Sequence, residues 1–134
     1  MKLKNQPHSQ EFMTYQQTII VVAPILPGKA EAWRRFMQEI LGSRRREYET
    51  SRRRLGIRAE RVWISETRRW TLGIIIIEAD HLDQALAALV ASDQPFDRWF
   101  REQLLALQGL DLTRPDPALL PDLVLAWAGS EEPA

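Results

Sequence analysis

Trp70-Thr71-Leu72-Gly73-Ile74-Ile75-Ile76-Ile77-Glu78-Ala79 is the stretch that decides the architecture of this chain. Its four consecutive isoleucines are β-branched, which restricts χ1 and favours extended backbone. Successive side chains of a strand point to opposite faces, so this run is apolar on both faces of whatever sheet holds it. Thr18-Ile19-Ile20-Val21-Val22 has the same two-sided character. An antiparallel sheet with one wet face would alternate apolar and polar residues instead. The helices of a small domain cover one face only, and the chain has no spare elements for the other. The economical second layer is a second copy, so the expected assembly is a homodimer. Leaving two of the isoleucines in water would forfeit roughly 3–6 kcal/mol, against a typical total stability of about 5–15 kcal/mol.

Outward from that strand, the punctuation is clear. Upstream, Glu66-Thr67-Arg68-Arg69 reads as a hairpin connection from a strand over Ile57–Thr67, centred on Val62, Trp63 and Ile64. Before it, Trp33, Phe36, Met37, Ile40, Leu41, Tyr48 and Leu55 recur at helical spacing from Lys29 to Leu55. Gly56 ends that helix, and Gly42 and Ser43 are positions for a kink. Gln17–Leu26 is the first strand, closed by Pro27 and Gly28. Downstream, Asp80 caps a helix with the stripe Leu82, Ala85, Leu86, Leu89 and Val90. Ser92 or Asp93 caps another, with Pro95 early and Phe96, Trp99, Phe100, Leu104 and Leu107 on its apolar face, and Gly109 stops it. Pro115, Pro117 and Pro121 make an extended connector into a last strand, Leu123–Trp127. The order is βαββαβ. The predicted fold is therefore α+β and ferredoxin-like, with a four-stranded antiparallel sheet. A single domain spans residues 16–129, between a polar N-terminal tail, Met1–Tyr15, and a short C-terminal tail, 130–134.

Composition narrows the function classes. The 134 residues carry 18 basic and 18 acidic side chains, a formal net charge of zero. Nucleic-acid binding needs a basic excess, and the C-terminal third is acidic, so no nucleic-acid partner is expected. The absence of cysteine excludes disulfides, thiolate nucleophiles and cysteine-bound zinc. His8 and His81 are the only histidines, too few for a histidine metal centre, and no metal or cofactor is expected. The longest apolar runs, Thr18–Leu26 and Leu72–Ile77, fall far short of a membrane helix, so a cytoplasmic protein is expected.

Arg52-Arg53-Arg54-Leu55-Gly56-Ile57, followed by Glu60, Val62 and Trp63, together with Pro95-Phe96-Asp97-Arg98-Trp99-Phe100 and Gly109-Leu110-Asp111-Leu112, adds a more specific signal. With the element order and the two-faced strands, these residues resemble the dimeric α+β barrel superfamily. They are most similar to a small bacterial group among its antibiotic-biosynthesis-monooxygenase-like members. The resemblance covers about Thr18 to Trp127. It implies two sheets closing a barrel across a dimer, with a cleft in each subunit between sheet and helices. Haem-degrading relatives use a helical histidine ligand, and none lies in Lys29–Leu55 or Gln94–Leu107, so haem is not expected.

Candidate site residues are few. His81 opens a helix, where the helix dipole favours a neutral imidazole, and it is the one weak catalytic candidate; a surface histidine is the plainer reading. Arg44 falls one turn from Ile40 and Tyr48 and would bind a carboxylate if it points inward. The arginine clusters otherwise read as a solvated face paired with Glu47 and Glu49. Glu60, Glu66 and Glu78 lie in strands, but no spacing pairs them as acid and base. The expected ligand pocket joins Trp33, Met37, Arg44 and Tyr48 with Trp63 and Trp99. Two functions follow: a dimeric protein that binds a small apolar or aromatic ligand without turnover, or a cofactor-independent monooxygenase-like enzyme acting on such a molecule.

Overall fold

A computed structural model describes residues 17–114 and 116–129. Its elements run β1 (Thr18–Pro24), α1 (Ala30–Leu41), α2 (Arg45–Leu55), β2 (Ile57–Glu66), β3 (Thr71–Ala79), α3 (Leu82–Ala91), α4 (Pro95–Gln108) and a short 3-10 turn (Pro117–Leu119). The expected Lys29–Leu55 helix is two helices. The break falls at Gly42, whose backbone (φ −115°, ψ −101°) leaves the helical region. Gly56 and Gly109 end α2 and α4 with φ of 79° and 63°, the left-handed conformation that glycine adopts without steric cost. At α3 the first helical turn starts one residue later than expected, with His81 at the cap and Asp80 paired to Arg58. Pro95 opens α4, and Ser92 Oγ accepts the Gln94 N–H just before it.

The three strands form one antiparallel sheet in the order β1-β3-β2. The doubly apolar β3 is its centre, hydrogen-bonded on both sides. Gly73, Ile75, Ile77 and Ala79 are buried beneath the helices with Ala23, Trp33, Phe36, Phe96, Phe100 and Leu104. The register places Ile20 opposite Ile76, Val22 opposite Ile74 and Trp63 opposite Ile74. These residues therefore share the other face of the sheet, where Ile20 and Trp63 are exposed. The two-sided apolar character of β1 and β3 is thus real, and among the described residues the second face leaves Ile20 and Trp63 exposed and Val22, Ile74 and Ile76 half-buried.

The expectation of a four-stranded ferredoxin-like βαββαβ sheet, and of the two-sheet barrel built on it, is corrected. The sheet has three strands with four helices, and Leu123–Trp127 forms no strand and joins no sheet. A strand needs a hydrogen-bonded neighbour as well as strand-forming residues. Composition supplies the second requirement and is silent on the first. The predicted tails over Met1–Tyr15 and 130–134 lie outside the described residues.

Candidate functional site

Two clefts lie between the sheet and the helices. One, about 410 Å³, opens between α1 and β2 and is walled by Trp33, Met37, Ile40, Val62 and Ile64. The other, about 380 Å³, opens between α3 and β1 and is walled by Ile19, Val21, Leu86, Val90 and Leu119. Ile75 below and Phe100 and Leu104 above form the partition, and Glu60 reaches both. The helix-facing side of β2 carries Glu60, Val62 and Ile64 by strand alternation, so a carboxylate enters an otherwise apolar layer.

That carboxylate is nearly inaccessible, with 5% of its side chain exposed. A buried charge needs a partner, because its desolvation is otherwise prohibitive. Arg52, one helical turn after Tyr48 on α2, provides it: Nε donates to Glu60 Oε1 at 2.8 Å, and Tyr48 Oη donates to the same oxygen at 2.7 Å. Oε2 has only a long 3.5 Å contact with Arg52 Nη2, so it keeps acceptor capacity. The Arg52 guanidinium also stacks over the rings of Phe100 and Tyr48, at 4.4 and 4.8 Å from their centroids. Burial first, then the Glu60 carboxylate beside it, drives the Tyr48 phenol well above its usual range, so it remains a hydrogen-bond donor. For Arg52, burial disfavours the cation, but the Glu60 charge and hydrogen bonds outweigh it and hold the guanidinium protonated.

The polar network continues away from the clefts. Arg52 Nη1 donates to Ser51 Oγ at 3.0 Å, and Ser51 Oγ donates to Asp97 Oδ1 at 2.6 Å. Asp97, in the first turn of α4 and fully buried, also accepts from Arg54 Nη1 at 2.7 Å and from Ser92 Oγ. Burial alone would raise its pKa; the hydrogen bonds from Arg54, Ser51 and Ser92 overcome this and hold the carboxyl below its ordinary value. The first turn of a helix is also where a negative charge is favoured. This chain of bonds ties α2 to β2, α4 and the end of α3. It fixes Tyr48 and Glu60 in the lining of the α1–β2 cleft.

The expected pocket residues divide. Trp33, Met37 and Tyr48 line the α1–β2 cleft together. Trp33 is anchored there, its Nε1 donating to Gln108 Oε1 at 3.2 Å. Arg44 and Trp99 meet each other instead. The guanidinium lies 4.0 Å from the indole centroid and pairs with Glu39 and Glu47 at 3.1 Å, so its charge is already matched outside the cleft. Trp63 is on the opposite face of the sheet. His81 is exposed, its side chain makes no cap bond, and it lines neither cleft. The residues that sequence reading passed over are Arg52, Glu60 and Asp97. The available signal was the Tyr48-to-Arg52 spacing of four, which puts both on one helix face above a strand carrying a lone inward glutamate.

Among the described residues no group of three histidine, cysteine or carboxylate side chains is placed to hold a metal ion. No described helix is long and apolar enough to cross a membrane. Compared with protein-family models, with curated proteins and with solved structures, the chain matches none.

Proposed function

We propose that this protein binds a small ligand with an apolar or aromatic body and a hydrogen-bond donor, seated in the α1–β2 cleft. The observation that supports this most directly is the pairing of an apolar cleft of about 410 Å³ with a buried, pre-positioned carboxylate at its inner end. That volume falls in the usual range for small-molecule sites, and such sites combine apolar walls with a few fixed polar groups. Arg52 and Tyr48 engage Glu60 Oε1, and Oε2, with only its long 3.5 Å contact to Arg52 Nη2, keeps capacity to accept a hydrogen bond from a hydroxyl or amine. The cluster as a whole carries no net charge, because the guanidinium balances the carboxylate. A neutral donor such as a phenol therefore suits it better than an acid, which would meet Glu60 head on. Binding rather than turnover is the proposed role: Glu60 is held by its partners, and the Tyr48 phenol keeps its proton.

The test compares 2-naphthol with 2-naphthoate by calorimetry and tryptophan fluorescence. The naphthol should bind, and the acid should bind about ten- to a hundredfold more weakly, the worth of one hydrogen bond to a charged group. Glu60→Gln should narrow that gap, and Ile64→Trp, which fills the cleft, should abolish binding while the circular dichroism spectrum stays native. Equal affinity for both probes, or unchanged binding in the filled variant, overturns the proposal.

A further inference from the structure

Two exposed apolar features stand out among the described residues, a segment and a sheet face. Residues 121–129 belong to no helix or strand and make no backbone hydrogen bond to the domain among the described residues. Within them Leu123, Val124, Leu125 and Trp127 are exposed, Val124 by 90% and Trp127 by 83%. Leu123, Leu125 and Trp127 repeat every second residue, which puts them on one side of an extended chain. The surface is the open face of the sheet, where Ile20, Val22, Ile74, Ile76 and Trp63 stand together.

We infer that the segment of one chain lies on the open sheet face of a second copy, and reciprocally, so that the two form an exchanged homodimer. Three observations select a second copy as the occupant. First, the segment leaves the domain on the wrong side to cover its own face: Leu119 and Leu120, just before it, sit with Ile19 and Val21 on the helix side of the sheet. Pro121 holds Leu120 extended (φ −104°, ψ 112°), so the turn before it does not continue into the segment. Second, the area requires the segment. Three strands about 4.8 Å apart, paired over about seven residues of 3.3 Å each, offer roughly 350 Å² per face. A stable interface needs about 800 Å² from each partner. Two bare sheet faces therefore fall short, and four mostly exposed side chains on an arm of about 30 Å supply the difference. Third, charge permits self-association. The chain is neutral overall, and the rim of the open face carries both signs, with Arg61 on Glu78 at 2.8 Å and Arg58 on Asp80. Two copies meet without net repulsion.

Because the chain lacks cysteine, an introduced pair reports on itself alone. The full chain carrying Ile20→Cys and Leu125→Cys is treated with a short bismaleimide at micromolar concentration. Exchange predicts a product of twice the chain mass, and light scattering of the unmodified chain should give a dimer of about twice 15.5 kDa. Leu125→Asp changes a side chain exposed in the isolated chain, so it should fold normally by circular dichroism and shift the equilibrium to monomer by roughly tenfold or more. A monomeric parent chain overturns the inference. So does an internal cross-link within one chain, which would mean the segment folds back on its own sheet, or a Leu125→Asp variant that dimerises as tightly as the parent.

Discussion

Asp97 is the residue on which the helical layer turns. Its two oxygens accept from Ser51, Ser92 and Arg54, which lie on α2, after α3 and at the end of α2, so one side chain replaces three separate capping or pairing arrangements. The carboxyl titrates below its ordinary value of 3.8 in the folded chain and at that value when unfolded. The folded state therefore binds fewer protons around pH 4, and the stabilisation is present above that pH and lost as pH falls through the folded pKa. Asp97→Asn should lower stability at neutral pH by about 1–3 kcal/mol, the lower part of that range reflecting how far Arg54 already reaches into solvent. Urea unfolding at pH 7 and pH 3 checks this: the gap between variant and parent should shrink at the lower pH. An equal gap at both would assign the loss to shape and not to charge.

At the scale of elements, the join between sheet and helices depends on a close approach at Gly73. A Cβ at this position would lie 2.6 Å from Gln108 Nε2, which donates to the Ala23 carbonyl at 3.0 Å while its Oε1 takes the Trp33 indole proton. One buried amide thus links β1, α1 and α4 above the Gly73 end of β3. The amide end is a flexible group, but it is held at both atoms, so it cannot retreat without losing a bond. Gly73→Ala should cost about 1–3 kcal/mol. It should also change the fluorescence of Trp33, whose partner moves. A melting temperature and emission spectrum equal to the parent's would show that the amide has room to yield.

For the molecule as a whole, the central position of β3 sets where stability is concentrated. β3 is bonded along its length to β1 and β2, whereas each of those strands has a free edge. Amides of Leu72–Glu78 should therefore exchange slowest with deuterium, opening only with global unfolding. Those of α1 near Gly42 should exchange by local opening, since the backbone leaves the helical region there and the end is held by a long 3.2 Å bond from the Gly42 N–H to the Glu39 carbonyl. Fast exchange in β3 would mean that the three-stranded sheet is not the stable centre of the fold.

The local chemistry of the sequence determined the elements. Four isoleucines in a row, the glycines at 56 and 109, Pro95 three residues after Ser92 and the hairpin at Thr67 each state their conformation through sterics within a few residues, and the strand, helix ends and turn they mark appear there, whereas the long first helix is divided and the last strand does not form. By the same local rules β1 and β3 are apolar on both faces, and Trp33, Met37 and Tyr48 line one cleft, while Arg44, expected with them, stacks on Trp99 instead. Partners are another matter. Whether Leu123–Trp127 joins the sheet depends on which strand edge it can reach, and strand propensity carries no such information. Arg44 and Arg52 are both arginines on the same helical region, yet one stacks on Trp99 among surface carboxylates and the other is buried against Glu60. The break at Gly42 reorients α1 relative to α2, and the position of β2 beneath α2 decides which guanidinium meets the inward glutamate. Pairings of this kind join different elements, Arg44 to a helix far along the chain and Arg52 to the strand beneath it, so only the tertiary structure decides them.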